Sequence, residues 1–301
     1  MNLSIELNKD RNHNLHLFAG KLEDDKPDKE SENTLVIQGG MERLNSFGNE
    51  VVKKLASMPK GRTLYIEPGI HYIRESTMKL PSDTNVYLAG GCIIIGAFVC
   101  SGVENVRIYG RGIVYQADFQ RYGGTNGIRL SNAWNIFIRG LTVWADVAHP
   151  LNIGTHGDYE NNGDIIENIQ FEDIDILEHN EYQAGYLGCM AINVGDKNTA
   201  RNIRYKDIRI EPIKHGKLLD IQVKCNTDYN PAPGKRIENI QFEEIRYTGS
   251  GEVTSEIKGF NPEYIVNEVG LHNILINGKK VNSLKDANIE VGEFAYNIAI
   301  D

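Results

Sequence analysis

No apolar run in this sequence approaches the ~18 residues that a membrane-spanning helix requires. The first residues, MNLSIELNKDRNHNLHLF, have neither a basic n-region nor an apolar h-region. As written the chain reads as cytoplasmic, or as secreted if an upstream leader has been removed. Basic residues are in deficit, 32 Lys+Arg against 41 Asp+Glu for a net charge of -9. That balance excludes the basic surface of a nucleic-acid binder and reads first as solubility. Cysteine is scarce, and Cys92, Cys100, Cys189 and Cys225 lack the CxxC spacing of a thiolate metal site. Cys92 and Cys100 read as buried thiols, with a bridge across adjacent turns as the alternative. Nucleophile elbow, P-loop and dinucleotide fingerprint are all missing, so no cofactor is implied. Helical periodicity is confined to residues 41–58, where Leu44, Phe47, Val51 and Leu55 recur at helical spacing before Pro59-Lys60-Gly61.

What fills the chain instead is a repeat. The phrase Glu167-Asn168-Ile169-Gln170-Phe171-Glu172-Asp173-Ile174 returns as Asn202-Ile203-Arg204-Tyr205-Lys206-Asp207-Ile208 and as Asn239-Ile240-Gln241-Phe242-Glu243-Glu244-Ile245. Weaker copies begin at Asn85, Asn105, Asn135 and Asn273. Successive asparagines, numbered 85, 105, 135, 168, 202, 239 and 273, differ by 20, 30, 33, 34, 37 and 34. Each copy alternates apolar and polar residues, the period of a half-buried strand. Units at this interval stack to bury one continuous core. An asparagine at one register of every coil can sit in a turn and bond its neighbours above and below. The expected fold is all-β, a single-stranded right-handed parallel β-helix; leucine-rich repeats need a shorter period and a denser leucine signature. Residues 1–60 read as N-terminal strands, an acidic loop and the capping helix, and residues 61–301 as the β-helix. The tail NIEVGEFAYNIAID reads as a terminal strand or cap.

A second strand series lies between the asparagine repeats: Gly127–Leu130, Pro150–Gly154, Ala191–Gly195, Asp220–Val223 and Glu256–Gly259. Between its apolar positions stand Arg129, Asn152, Asn193, Gln222 and Lys258, which period two places on the outer face of coils stacked at ~4.8 Å. The competing reading is an ordinary solvated face. Long loops flank this strand, THGDYENNGD, EHNEYQAGYLG and CNTDYNPAPGK, and loops that wall one face make a groove suited to an extended polar polymer. Tyr159, Tyr182, Tyr186 and Tyr229 are equally readable as sugar-stacking rings or as loop packing. Asp220 and Glu256 stand two residues ahead of the column and read as partners for Lys224 or Lys258. Asp158-Tyr159-Glu160-Asn161-Asn162-Gly163 imitates half a calcium loop, but no glutamate fills its twelfth position, and no metal ligand is assigned.

Several of these segments resemble the pectin lyase-like β-helix glycoside hydrolases of families 28 (polygalacturonases) and 49 (dextranases). NLHLFAGKLEDDKPD is similar to the entry of a dextranase helix, which normally follows a β-sandwich. VYLAGGCIIIGAF and NVRIYGRGIVYQADF resemble first coils, and TNGIRLSNAWNIFIRGLTVWADVAHPLNIG resembles the catalytic coil and its successor. GCMAINVGDKNTARNIRYKDIRIE and YNPAPGKRIENIQFEEIRY resemble later coils. The resemblance implies a polysaccharide or oligosaccharide as partner, with no nucleic acid and no membrane, and a monomer. It also implies an adjacent Asp-Asp pair, but that position falls on Thr125 and Asn126; the following basic residue survives as Arg129, and His149 precedes Pro150 as in polygalacturonases.

Glycoside hydrolysis needs two carboxyls, ~5 Å apart for retention or ~6.5–9.5 Å apart for inversion. The expected catalytic set is Asp146, Asp158 and Asp196 with His149: Asp158 or Asp196 as acid, Asp146 as base, His149 tuning them. Asn126, Arg129, Asn152, Asn193, Gln222 and Lys258 are the expected sugar-binding residues. For each aspartate alone, capping a turn is the competing role. Two function classes follow: a glycoside hydrolase acting on a polygalacturonan-like or dextran-like glycan, which is taken forward, and a shortened, catalytically inactive relative that binds carbohydrate or is structural.

Overall fold

The computed structural model describes residues 2–7, 10–18, 23–115, 127–144, 149–181, 188–228, 230–250 and 252–301. Strands Asn2–Leu7 and Asp10–Phe18 form an antiparallel pair of their own. Another 22 strands make one continuous sheet, wound so that each strand pairs in parallel with its counterparts on neighbouring coils. Lys279–Lys280, antiparallel to Leu275–Ile276, is an exception. This is a single-stranded right-handed parallel β-helix, with the hand that parallel crossover connections take in about 98% of cases.

The alternation in the repeated phrase sets what is inside. One inward file runs Ile136, Ile169, Ile203, Ile240, Val269 and Ile298, and the next runs Ile138, Phe171, Tyr205, Phe242, Leu271 and Ile300. Phe171, Tyr205 and Phe242 stack with centroids 4.8 Å apart and ring planes 13° and 7° off parallel. The spacing is that of the strands carrying them, so identical positions meet identical positions coil after coil.

The asparagines hold a corner. Asn105, Asn135, Asn168, Asn202 and Asn239 all take positive φ, between 54° and 57°. Nδ2 of each donates to the side-chain oxygen one coil earlier, at 2.9 Å for Asn105 to Asp83, then 3.2, 3.1, 3.2 and 2.9 Å. Two members of the expected series sit elsewhere. The first-coil corner is Asp83 (φ 58°), while Asn85 lies within strand Thr84–Leu88 and bonds the Gly61 carbonyl. Asn273 belongs to a second left-handed corner with Asp173, Asp207 and Glu244, one strand further along. On the later coils the first corner is held by Glu268 and Asn297 instead.

The helix is shorter than its periodicity predicts, Asn49–Ser57. Residues Gly40–Phe47 are a strand paired with Gly69–Lys79, in which Phe47 meets Ile73. Gly48, at φ -162° and ψ -144°, separates the two. Cross-coil pairing outweighs the helical spacing of Leu44 and Phe47, since periodicity is a local signal and tertiary contacts override it. Val51 and Leu55 join the main core with Leu64 and Ile66. Cys92, Cys100 and Cys189 are buried free thiols, and burial pushes Cys92 and Cys100 up to about 12.

Candidate functional site

The second strand series forms one sheet face, but its register differs from the sequence reading. Arg129 pairs with Asn152, Asn152 with Ala191, Ala191 with Asp220, and Asp220 with Glu256. Asn193, Gln222 and Lys258 make the next file. The five polar residues expected in one column therefore stand in two, because Ile153 and not Leu151 pairs with Ile192. Apolar alternation is satisfied equally by either alignment, so it could not choose between registers two residues apart.

The same face carries two carboxylates, Asp220 and Glu256, on adjacent coils, in the register the sequence implies. Lys217 Nζ lies 3.2 Å from Asp220 Oδ1 and also contacts Glu256. Lys224 Nζ holds Asp220 Oδ2 at 3.2 Å, and Lys258 Nζ is 3.6 Å from Glu256 Oε1. Gln222 Nε2 donates to Asp220 Oδ1 and, at 3.2 Å, to Glu256 Oε2. Asp220 is fully buried. The ion pairs with Lys224 and Lys258 were legible in the sequence; Lys217, three residues before Asp220 at the strand start, was not. Burial works to raise the Glu256 carboxyl, but the Lys217 ammonium outweighs it and holds the group below its usual range. Burial lowers the Lys224 ammonium against the opposing pull of Asp220.

His149 adjoins this cluster. Its Nδ1 lies 2.7 Å from the Gly188 carbonyl, a contact that places the proton on Nδ1. Burial brings its pKa down to about 4; the Gly188 bond opposes this, and the charges of His179, Asp220 and Lys224 also act on it. The imidazole is thus neutral near pH 7.

The expected aspartates are arranged differently. Asp146 lies outside the described residues, as do Thr125, Asn126, Tyr182, Tyr186 and Tyr229. Asp158 is exposed on the loop after Gly154, where its carboxylate accepts from Asn161 N and, at 2.7 Å, from Asn161 Nδ2. Those bonds hold it below the usual carboxylate range. Asp196 is 3% exposed at a positive-φ turn, with Oδ2 accepting from Gly157 N at 3.2 Å and standing 3.7 Å from His156 Nδ1. Its Oδ1 is buried without a hydrogen-bond partner among the described residues. Buried Asn198 and Asn230 fasten the same loop, through bonds to the carbonyls of Gly154 and Thr155. Asn152 is tied to Thr155 Oγ1 at 3.1 Å, and Arg129 is exposed. Asn193 is 1% exposed, and among the described residues neither its Oδ1 nor its Nδ2 has a partner. Among the described residues no group of three His, Cys, Asp or Glu is placed to hold a metal ion, and no helix is long and apolar enough to cross a membrane.

No protein-family model matches the chain. Exopolygalacturonase B of Aspergillus niger is 26% identical over 157 residues, 50% of this chain and 34% of that protein. A probable exopolygalacturonase B of Aspergillus terreus is 32% identical over 124 residues, 40% of this chain and 28% of that protein. The match spans about a third or less of these relatives' length. Among solved structures, the Yersinia enterocolitica family 28 exopolygalacturonase aligns over 85% of this chain and 78% of its own, at 10% identity and a TM-score of 0.30. So loose a superposition leaves the fold to rest on the strand pairings themselves. In sequence the chain resembles the polygalacturonase-type, pectin lyase-like β-helix glycoside hydrolases.

Proposed function

We propose that this chain acts on a polysaccharide laid along the sheet face between Arg129 and Lys258, as a glycoside hydrolase of the polygalacturonase type. The observation that carries the reading is Asn193, a buried carboxamide with neither polar atom bonded among the described residues, set beside a buried cluster of ammonium and carboxylate groups. An unpaired buried amide costs ~1–3 kcal/mol unless something bonds it, and a sugar hydroxyl both donates and accepts. Arg129, Asn152, Gln222 and Lys258 extend the same polar face. Lys217, Lys224 and Lys258 place ammonium groups on this face, which suits an acidic glycan.

Within this reading Asp220 and Glu256 are the carboxyl pair best placed for chemistry. They pair on adjacent coils and share Lys217 and Gln222 as partners. Glu256, kept ionised by Lys217, fills the charged role. Of the original set, Asp196 keeps one carboxylate oxygen, Oδ1, without a hydrogen-bond partner among the described residues. We read Asp158, exposed and capping Asn161, as a turn residue.

One observation favours the non-catalytic alternative: Asp220 and Glu256 are both engaged by ammonium groups, as in a structural cluster. Incubation with polygalacturonate, rhamnogalacturonan, dextran and pullulan, with reducing ends counted, separates the two readings. Hydrolysis is expected on an acidic polymer, with Asp220→Asn and Glu256→Gln each slowing it by at least a hundredfold, an effect on the order of 3 kcal/mol. Binding without any new reducing ends would establish the inactive relative instead.

A further inference from the structure

At the C-terminal ends of the three strands that carry the cluster lies an open cavity of about 480 Å³. This is within the ~300–1,000 Å³ range of small-ligand pockets. Val223, Lys224, Lys258, Phe260 and Phe294 are among the residues that line it. Lys224 stands where this cavity meets the buried cluster. Its side chain is 12% exposed, and its Nζ lies 3.2 Å from Asp220 Oδ2, while Lys217 holds the other oxygen of the same carboxylate. Burial is the largest influence on Lys224 and favours the neutral amine; Asp220 and Glu256 oppose it, Lys217 reinforces it, and the ammonium is left below its ordinary range. Phe260 is 44% exposed, and its place at the rim is fixed by Phe260 N donating to Tyr264 O at 2.8 Å and Gly259 N to Glu293 O at 2.9 Å. A Cβ on Gly259 would come within 2.5 Å of Phe294 O, so only glycine permits this close turn.

We infer that this cavity binds a small aldehyde with an apolar body, captured on Lys224 Nζ as an imine. An amine attacks a carbonyl carbon only when it carries no extra proton. A lysine withdrawn from water and set among other ammonium groups meets that condition more readily than an exposed one. The step balances: Nζ bonds the carbonyl carbon, the carbonyl oxygen takes a proton, and the resulting carbinolamine loses that oxygen as water to leave C=N. Asp220 Oδ2, 3.2 Å from Nζ, is placed to carry the proton from the nitrogen to the departing hydroxyl. Val223, Phe260 and Phe294 supply apolar surface for the body of the aldehyde. The other two lysines suit the part less well. Lys217 contacts Asp220 and Glu256 at once with its side chain 7% exposed, and Lys258, 45% exposed, lacks the burial. This capture needs no glycan and stands apart from the reading of the sheet face as a groove.

The test is reductive trapping of the wild-type protein with benzaldehyde and cyanoborohydride at neutral pH, followed by peptide mapping of the benzylated lysines. Lys224 should be modified at least about threefold faster than Lys60, because each unit by which an ammonium is lowered gives up to about ten times more neutral amine. Lys60 is the fitting reference, with its side chain 83% exposed. The advantage should shrink toward about pH 10, where exposed amines also lose their protons. Phe260→Ala should slow benzaldehyde trapping at Lys224 by about tenfold, the upper end of what one ring contact contributes. Trapping by acetaldehyde, which has no body to pack, should be unchanged in the same variant, and that control separates a lost ring contact from a disturbed fold. Modification of Lys224 no faster than that of Lys60 overturns the inference. So does a Phe260→Ala variant that traps benzaldehyde as fast as the wild type, or one slowed equally with both aldehydes.

Discussion

Asn168 carries two tasks at once: a left-handed backbone at φ 56°, and a side chain that donates to Asn135 and accepts from Asn202. Asparagine visits this region more readily than other residues with a Cβ, for which it costs ~1–2 kcal/mol. Each exposed amide bond adds the low end of ~0.5–1.5 kcal/mol. Asn168→Ala should therefore lower stability by about 2 kcal/mol and Asn168→Gly by about half of that, since glycine restores the backbone but not the ladder. Equal losses in the two variants, read from urea midpoints, would show that the corner geometry is not what the asparagine supplies. Tyr205 is the opposite case. Its ring is stacked between Phe171 and Phe242, and its hydroxyl is buried without a hydrogen-bond partner among the described residues. Tyr205→Phe should raise stability by about 1 kcal/mol, because removing an unsatisfied hydroxyl removes its desolvation penalty. A destabilised variant would refute that reading of the hydroxyl.

At the scale of elements, residues 23–29 form a strap across an aromatic ladder on the outer face. Tyr65, Tyr87 and Tyr109 meet on successive coils with centroids 4.8 and 5.3 Å apart, the first pair tilted and the second edge to face. Over them Glu23 accepts from the Tyr87 hydroxyl at 3.0 Å, Asp25 binds both Arg107 and Arg139, and Lys29 pairs with Glu67 at 3.2 Å. Asp25→Ala should open the strap to limited proteolysis at Lys26 or Lys29 and cost only about 1 kcal/mol globally, as solvent-screened pairs are weak. Unchanged cleavage would mean that Glu23 and Lys29 hold the strap unaided. None of this was legible in KLEDDKPDKESEN, which reads as an acidic loop, because its partners lie on coils 38 to 114 residues away. What was legible is whatever repeats. Alternation gave the inward files, and asparagine spacing gave the corner on five coils. It failed at Asn85 and Asn273, where Asp83 and Glu268 hold the corner. The polar column failed by two residues for the same reason: a strand of period two cannot report its own register. The charge cluster was half visible, since Lys224 follows Asp220 by four residues, whereas Lys217 and Gln222 bridge to Glu256 across coils.

For the whole molecule, the consequence of burying ionisable groups in a long solenoid is a stability that depends on pH. His149 is held neutral by burial, with a folded pKa of about 4. Burial also lowers His71, whose Nε2 lies 2.8 Å from the Glu67 carbonyl. In the unfolded chain a histidine takes up its proton near pH 6.5. Between about pH 6.5 and 4 the unfolded state therefore binds more protons than the folded state, and stability falls as pH falls through that window. Below about 4 the His149 contribution levels off, and above 6.5 it is absent. Its full size is on the order of 3 kcal/mol, from 1.36 kcal/mol per pKa unit. Glu256, Glu243 and Asp173 are carboxyls held low by neighbouring cations, and they lose their contribution at lower pH. The interval from pH 6.5 to 5 consequently isolates the histidines. Urea midpoints across it should decline steadily in the wild type and distinctly less steeply in His149→Asn, each variant referred to its own value at pH 7.5. The Asn amide nitrogen stands close to the place of Nδ1 and can still donate to the Gly188 carbonyl, so it removes the titration while keeping the bond. A wild-type midpoint that stays level from pH 6.5 to 5 would mean that His149 protonates within the fold, and that the lysine and carboxylate cluster beside it opens to solvent.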